Sequence, residues 1–85
     1  MRYSRNSKSY SILRAWLKSR RLEAGLTIRT LAERLDVPYS IIGRIEDGGR
    51  KLEFFEFIEY CNAVGVDPRD GFDAVLRDVD IQNEQ

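Results

Sequence analysis

At 85 residues the chain suits one small domain with a single modest core and has no room for a second. With no histidine and one cysteine, Cys61, it lacks the commonest acid/base residue and can form neither an internal disulfide nor a CxxC pair. Redox, zinc and triad chemistry are therefore set aside, no cofactor is expected, and the chain reads as a non-enzyme. The formal net charge of zero hides an asymmetry: residues 1–51 hold 12 Lys/Arg against 5 Asp/Glu, and residues 52–85 hold 2 against 9. A one-sided basic half is the footprint of a phosphate binder, with the acidic half turned away from the polyanion. Solvated charged faces with no partner are the alternative.

Residues 1–9, MRYSRNSKS, carry Arg2, Arg5 and Lys8 without an apolar period and read as a flexible basic arm. The globular part is expected over 10–80. A first helix starts at Tyr10, with Leu13, Trp16, Leu17 and Ala24 on its apolar face, Arg14 and Lys18 outside it, and Gly25 as its stop. Thr27 caps a short second helix bearing Ile28, Leu31, Ala32 and Leu35, and Asp36 suits a left-handed residue at its end. Pro38 opens a third helix over 38–47, stopped by Gly48-Gly49.

After the basic link Arg50-Lys51, a fourth helix places Phe54, Phe57, Ile58, Cys61 and Val64 on one stripe and ends at Gly65. Cys61 reads there as a small buried hydrophobe. Asp67-Pro68 supplies the N-cap and first-turn proline of a fifth helix striped by Phe72, Val75, Leu76 and Val79, and residues 81–85 read as a frayed tail. Five short helices without a strand pattern predict an all-α bundle. No apolar run reaches the roughly 20 residues of a membrane span, and the basic N-terminus lacks a signal-like apolar stretch, so a cytoplasmic setting is expected.

The second and third helices are joined by a turn of about three residues, the spacing of a helix-turn-helix. The stretch GLTIRTLAERLDVPYSIIGRIEDGGRK, Gly25 to Lys51, resembles the helix-turn-helix of lambda-repressor-like regulators, also called the Cro or xenobiotic-response-element family. The resemblance rests on Gly25-Leu26-Thr27, Leu31-Ala32, Leu35, Val37, Ile42, Ile45, Glu46 and Gly48, with Gly65-Val66 beyond. It implies that Arg21 pairs with Glu46. On a helical wheel centred on Ile42 at about 100° per residue, Glu46 lies near the buried face and needs a partner there. The same wheel puts Pro38, Ile42 and Ile45 inward, Ile41 and Tyr39 on opposite flanks, and Ser40, Gly43, Arg44 and Asp47 outward.

The resemblance further implies that Tyr39, Ser40, Gly43 and Arg44 read bases in the major groove. Arg44 suits guanine O6 and N7, Ser40 donates or accepts, and Tyr39 reaches a phosphate or a thymine methyl. Phosphate contacts are implied for Thr27, Ile28 and Arg29 at the start of the second helix and for Gly49, Arg50 and Lys51 after the third. The chain departs from the family at Ile28, where glutamine is usual, at Asp36, which replaces the turn glycine, and at Pro38, which replaces a serine. Gly43, costing about 1 kcal/mol in a helix interior, either admits DNA closely or is a tolerated surface glycine.

The expected function is a sequence-specific DNA-binding transcriptional regulator, a bacterial or phage repressor or controller protein, that binds a double-stranded operator as a homodimer. Its dimer contacts are sought in the fifth helix and at Phe55 and Tyr60, which equally suit core edges. The alternative is an antitoxin-like module that binds a toxin or another basic protein through its acidic residues 52–85.

Overall fold

The computed structural model describes the backbone of residues 7–83 and the side chains of residues 7–78. Five helices follow in chain order: α1 (Lys8–Glu23), α2 (Ile28–Leu35), α3 (Tyr39–Asp47), α4 (Phe54–Val64) and α5 (Pro68–Asn83), and no strand occurs among the described residues. The expected all-α class is the observed one.

Most of the helix ends rest on local chemistry. Ser7 caps α1 by accepting the Tyr10 N–H at 3.2 Å, and Thr27 caps α2 by accepting the Thr30 N–H at 3.0 Å. Glu56 reaches back to accept the Glu53 N–H at 3.0 Å, the return half of a capping box at the start of α4. At the stops, Gly25, Gly48 and Gly65 take φ of 73°, 87° and 91°, and Asp36 is the one described non-glycine residue with a positive φ, at 55°.

The core centres on Leu17, Leu31, Ile42, Tyr60 and Cys61, all under 2% exposed, with Leu26, Ala32, Ile45, Phe57 and Val64 around them. Four helices contribute, α1 packs along α5, and α2 packs on both α3 and α4. Arg34 of α2 donates to the Ala63 carbonyl near the end of α4 at 2.8 Å, a backbone oxygen that the helix terminus cannot pair by itself. Burial pushes the Cys61 thiol up to about 11, so it stays protonated and packs as a small hydrophobe.

Several boundaries and faces differ from expectation. α1 begins at Lys8 rather than Tyr10, because Ser7 caps it and the Ser9 hydroxyl and Lys8 ammonium both reach the buried Asp78, each at 3.3 Å. Lys8 and Ser9 therefore belong to the helix, and residues 1–6 of the expected arm lie outside the described residues. At the other end α5 continues to Asn83, past the expected start of the tail, and residues 84–85 lie outside the described residues. Pro38 is the N-cap of α3 instead of its first residue and is exposed, not inward, because its extended backbone precedes the helix. Ala24 is the exposed C-cap of α1, not a core residue.

On α4 the buried stripe is Phe57, Tyr60, Cys61 and Val64, while Phe54 is exposed. Tyr60, expected off the stripe, is instead core. On α5 the buried face is turned: Gly71 and Asp78 are buried, Ala74 and Val75 are half-buried, and Phe72 and Leu76 are exposed. Gly71 explains the turn, because its missing side chain is the space that Trp16 and Phe57 fill. A Cβ built there would stand 2.9 Å from a ring carbon of each.

Gly71→Ala therefore gains about 1 kcal/mol of helix propensity and loses about 1–3 kcal/mol to overpacking between the buried Phe57 ring and the half-buried Trp16 ring. The expected outcome of urea unfolding is a lower midpoint with an unchanged slope. A raised midpoint would show that the rings shift at little cost.

Candidate nucleic-acid interface

The geometry of α3 is set from behind. Glu46, one residue before its end, turns its carboxylate into the protein, where the side chain is 5% exposed, and the facing Arg21 side chain of α1 is 6% exposed. The pair is bidentate: Arg21 Nε donates to Oε2 at 2.7 Å and Nη2 to Oε1 at 2.8 Å. Arg21 Nη1 donates to the Leu26 carbonyl in the α1–α2 turn at 2.8 Å, and the Tyr60 hydroxyl donates to Glu46 Oε2 at 2.6 Å. The same hydroxyl stands 3.3 Å from the Leu17 carbonyl. The hydrogen bond to Glu46 holds Arg21 above its already high range, and burial, followed by the bond to Glu46, pushes the Tyr60 hydroxyl far above its own. Arg21 and Tyr60 therefore keep their protons at neutral pH. Tyr60 is the member that sequence reasoning missed. Its signal was its position three residues from Phe57 and four from Val64, on the core side.

With its back fixed in this way, α3 turns Tyr39, Ser40, Arg44 and Asp47 to solvent. Gly43 lies between Ser40 and Arg44, and a Cβ built on it meets nothing within 4 Å. Ile41 is half-buried against the core. At the N-terminal end of α3 the Tyr39 ring, 55% exposed, carries the Arg29 guanidinium of α2 at 4.6 Å from its centroid. Arg29, Thr27 and Ile28 line an open concavity with Gly25, Leu26 and Tyr39. The Ile28 side chain is half-buried and packs on the core, so it has no polar reach toward a ligand.

At the C-terminal end the loop after α3 is tightly bonded. Asp47 accepts the Gly49 N–H at 2.8 Å, and the Arg50 N–H donates to the Arg44 carbonyl at 3.3 Å. Asp47 is thus occupied with the turn. Arg50 is held by Glu56, Nη2 to Oε2 at 3.0 Å, both side chains about a third exposed, while Lys51 is exposed. The fold thus brings Arg29, Tyr39, Ser40, Gly43 and Arg44 to one face and its edge. It engages Arg50 with the first turn of α4. Among the described residues no group of three or more His, Cys, Asp or Glu is placed to hold a metal, and no helix is long and apolar enough to cross a membrane.

Glu46→Gln preserves shape and removes the charge, leaving the Arg21 cation buried without its counter-ion. It is expected to lose about 3–5 kcal/mol in urea unfolding, most of the stability of so small a domain. A loss under about 1 kcal/mol would show that water reaches and screens the pair.

A helix-turn-helix family model matches residues 17–70, more than half of the chain. Among solved structures, an XRE-family like protein from Pseudomonas syringae pv. tomato str. DC3000 is 32% identical, with 81% of this chain and 84% of that chain covered and a TM-score of 0.77. No curated protein matches. The matched region runs from the core residue Leu17 to the first turn of α5 and takes in Arg21, Glu46, Tyr60 and the whole of α2 and α3. The chain belongs to the lambda-repressor-like, or xenobiotic-response-element, family of helix-turn-helix DNA-binding proteins.

Proposed function

We propose that the protein is a sequence-specific transcriptional regulator, of repressor or controller type, that inserts α3 in the major groove and binds its operator as a homodimer. The observation that carries this reading is the outward face of α3, with Ser40 and Arg44 exposed on a helix anchored from behind by the Arg21–Glu46 pair. Nine residues at about 1.5 Å each make α3 about 13 Å long, close to the roughly 12 Å width of the groove. Both its ends then approach a phosphate backbone while its middle meets base edges.

In that pose Arg44 offers its fork to guanine O6 and N7, and Ser40 bonds to an adjacent base. Tyr39 lies at the rim, where it serves as the stacking platform that orients Arg29 toward a phosphate, and Thr27 and the first-turn N–H groups of α2 add sequence-independent contacts. Lys51 serves the backbone at the other end. Selection from random duplex DNA is expected to enrich a two-fold site, with half-sites about 34 Å apart. Failure to enrich any site would overturn the reading. On the selected site Arg44→Ala is expected to lose about 1–3 kcal/mol of affinity while binding to random duplex changes little. Equal loss on both would remove Arg44 from the readers.

The homodimer draws on a different face. Phe54, Phe55, Phe72 and Leu76 are 42–63% exposed, and the three rings adjoin one another: Phe54 meets Phe55 edge-on at 5.4 Å and stacks with Phe72 at 6.5 Å between centroids, with Leu76 one turn beyond Phe72 on α5. At about 200 Å² per side chain they expose roughly 400 Å², half of what each partner covers in a standard interface and the size of a monomer's largest apolar patch, which is often functional. A second copy is the occupant that a two-fold operator demands. Phe55→Glu, in the first turn of α4 where an acid is tolerated, is expected to convert a dimer to a monomer in sedimentation and to weaken the full operator far more than a half-site. A wild-type chain that remains monomeric on a saturated operator would overturn the homodimer.

A further inference from the structure

Gly43 is the one glycine inside α3, and the packing of the chain asks nothing of it. The side chains that share its face are Tyr39 and Ser40, about one turn before it, and Asp47, one turn after. None of them fills the place where its own side chain would stand, since a Cβ built there meets nothing within 4 Å. Two of these neighbours are engaged elsewhere. The Tyr39 ring carries the Arg29 guanidinium at 4.6 Å from its centroid, and the Asp47 carboxylate accepts the Gly49 N–H at 2.8 Å. The Arg44 stem passes along the following loop, its Cβ and Cγ 3.6 Å from a Cβ built on Gly49. The result is a notch in the surface of α3, floored by the bare Gly43 Cα, with Tyr39 and Ser40 at one end and Arg44 beside it.

Such a floor has no hydrogen-bonding group to offer, because the amide and carbonyl of a residue within a helix are spent in the helix ladder. That selects what can lie on it. Guanine N7 and O6, adenine N7 and N6, cytosine N4 and thymine O4 are donors or acceptors on the major-groove edges of the bases. Covering one of them with bare backbone strips its water and returns no partner. The thymine 5-methyl group is the apolar member of the set, and its burial on an apolar floor is favourable in proportion to the area removed from water. It is also the same group as an alanine side chain, so the two would compete for one space.

Resting on the reading that α3 enters the major groove, we propose that Gly43 is a specificity-determining residue whose bare Cα receives the 5-methyl group of a thymine in each half-site, next to the bases met by Ser40 and Arg44. Discrimination at that base pair then comes from fit to an apolar notch and not from a hydrogen bond.

The test crosses one methyl group on the DNA with one on the protein. Thymine replaced by uracil, one position at a time in the selected operator, keeps every hydrogen-bonding group and removes only the methyl. For the wild-type chain, one thymine in each half-site is expected to bind about fourfold more weakly when so replaced, as read by fluorescence anisotropy, the worth of one buried methyl. Gly43→Ala is expected to melt higher by circular dichroism, because alanine favours the helix, so that lost binding is not lost folding. It is expected to bind the thymine operator about tenfold more weakly than wild type and to regain most of that loss on the uracil operator. Equal affinity of Gly43→Ala and wild type for the thymine operator would overturn the assignment and leave Gly43 a tolerated surface glycine. A loss equal on thymine and uracil, a wild-type chain indifferent to every uracil, or a selected site without thymine in its half-sites would overturn the methyl contact. A wild-type chain that enriches no site would overturn the groove reading itself, an outcome distinct from these.

Discussion

The carboxylate of Glu46 is the point on which four helices agree. It is carried by α3, takes two hydrogen bonds from Arg21 of α1 and a third from Tyr60 of α4, and the same Arg21 closes the turn into α2 through the Leu26 carbonyl. Removing such charges from water costs several kcal/mol per ion, and the mutual attraction of the pair roughly offsets that only when every lone pair and proton is satisfied. Here the geometry is bidentate and the third donor is buried with it. The consequence is geometric more than energetic. A carboxylate that must meet both a guanidinium and a phenol leaves α3 one rotation and one depth in the fold, and its outer face follows.

Much of the helix-turn-helix was legible in the sequence because its starts, stops and buried side use local chemistry, while the pairing of Arg21 with Glu46 was implied by the family resemblance. The glycines after α1, α3 and α4 are needed for positive φ, Thr27 announces the start of α2, and Glu46 lies near the buried side of a wheel centred on Ile42. The helix-turn-helix therefore emerged nearly whole. What did not emerge are the places where burial runs against hydrophobicity. α5 buries a glycine and an aspartate and exposes a phenylalanine and a leucine, so its apolar period points to the wrong face. Gly71 is buried because it has no side chain where Trp16 and Phe57 need room, and Asp78 because Lys8 and Ser9 reach it. Tyr60 was misread for the same reason, its polar end having partners that only the tertiary structure supplies.

Charge counting has a similar limit. The basic half of the chain suggested a broad cationic surface, but several of its guanidiniums are engaged inside the fold. Arg21 belongs to Glu46, Arg34 to the end of α4, Arg20 to Glu23 and Arg50 to Glu56. Around α3, among the described residues, Arg44 stands on its face, Arg29 lies over Tyr39 at one end and Lys51 is exposed after the other. A diffuse basic patch binds any polyanion, whereas a cation fixed by stacking, as Arg29 is on Tyr39, offers its charge at one place.

Gly43 gains its meaning from the same anchoring. A glycine within a helix costs about 1 kcal/mol relative to alanine, and such a loss is ordinarily offset by close packing inside the protein or by a backbone angle that only glycine adopts. Neither applies here: the residue is helical, its φ is not positive, and a Cβ would meet no atom of the chain within 4 Å. The fold therefore does not require it. The residues beside it on the helix surface are Ser40 and Arg44, and Glu46 anchors the opposite side of the helix through Arg21 and Tyr60. On the proposed reading, in which α3 lies close to base edges, the missing side chain reduces the helix's radius between Ser40 and Arg44; otherwise Gly43 is a tolerated surface glycine.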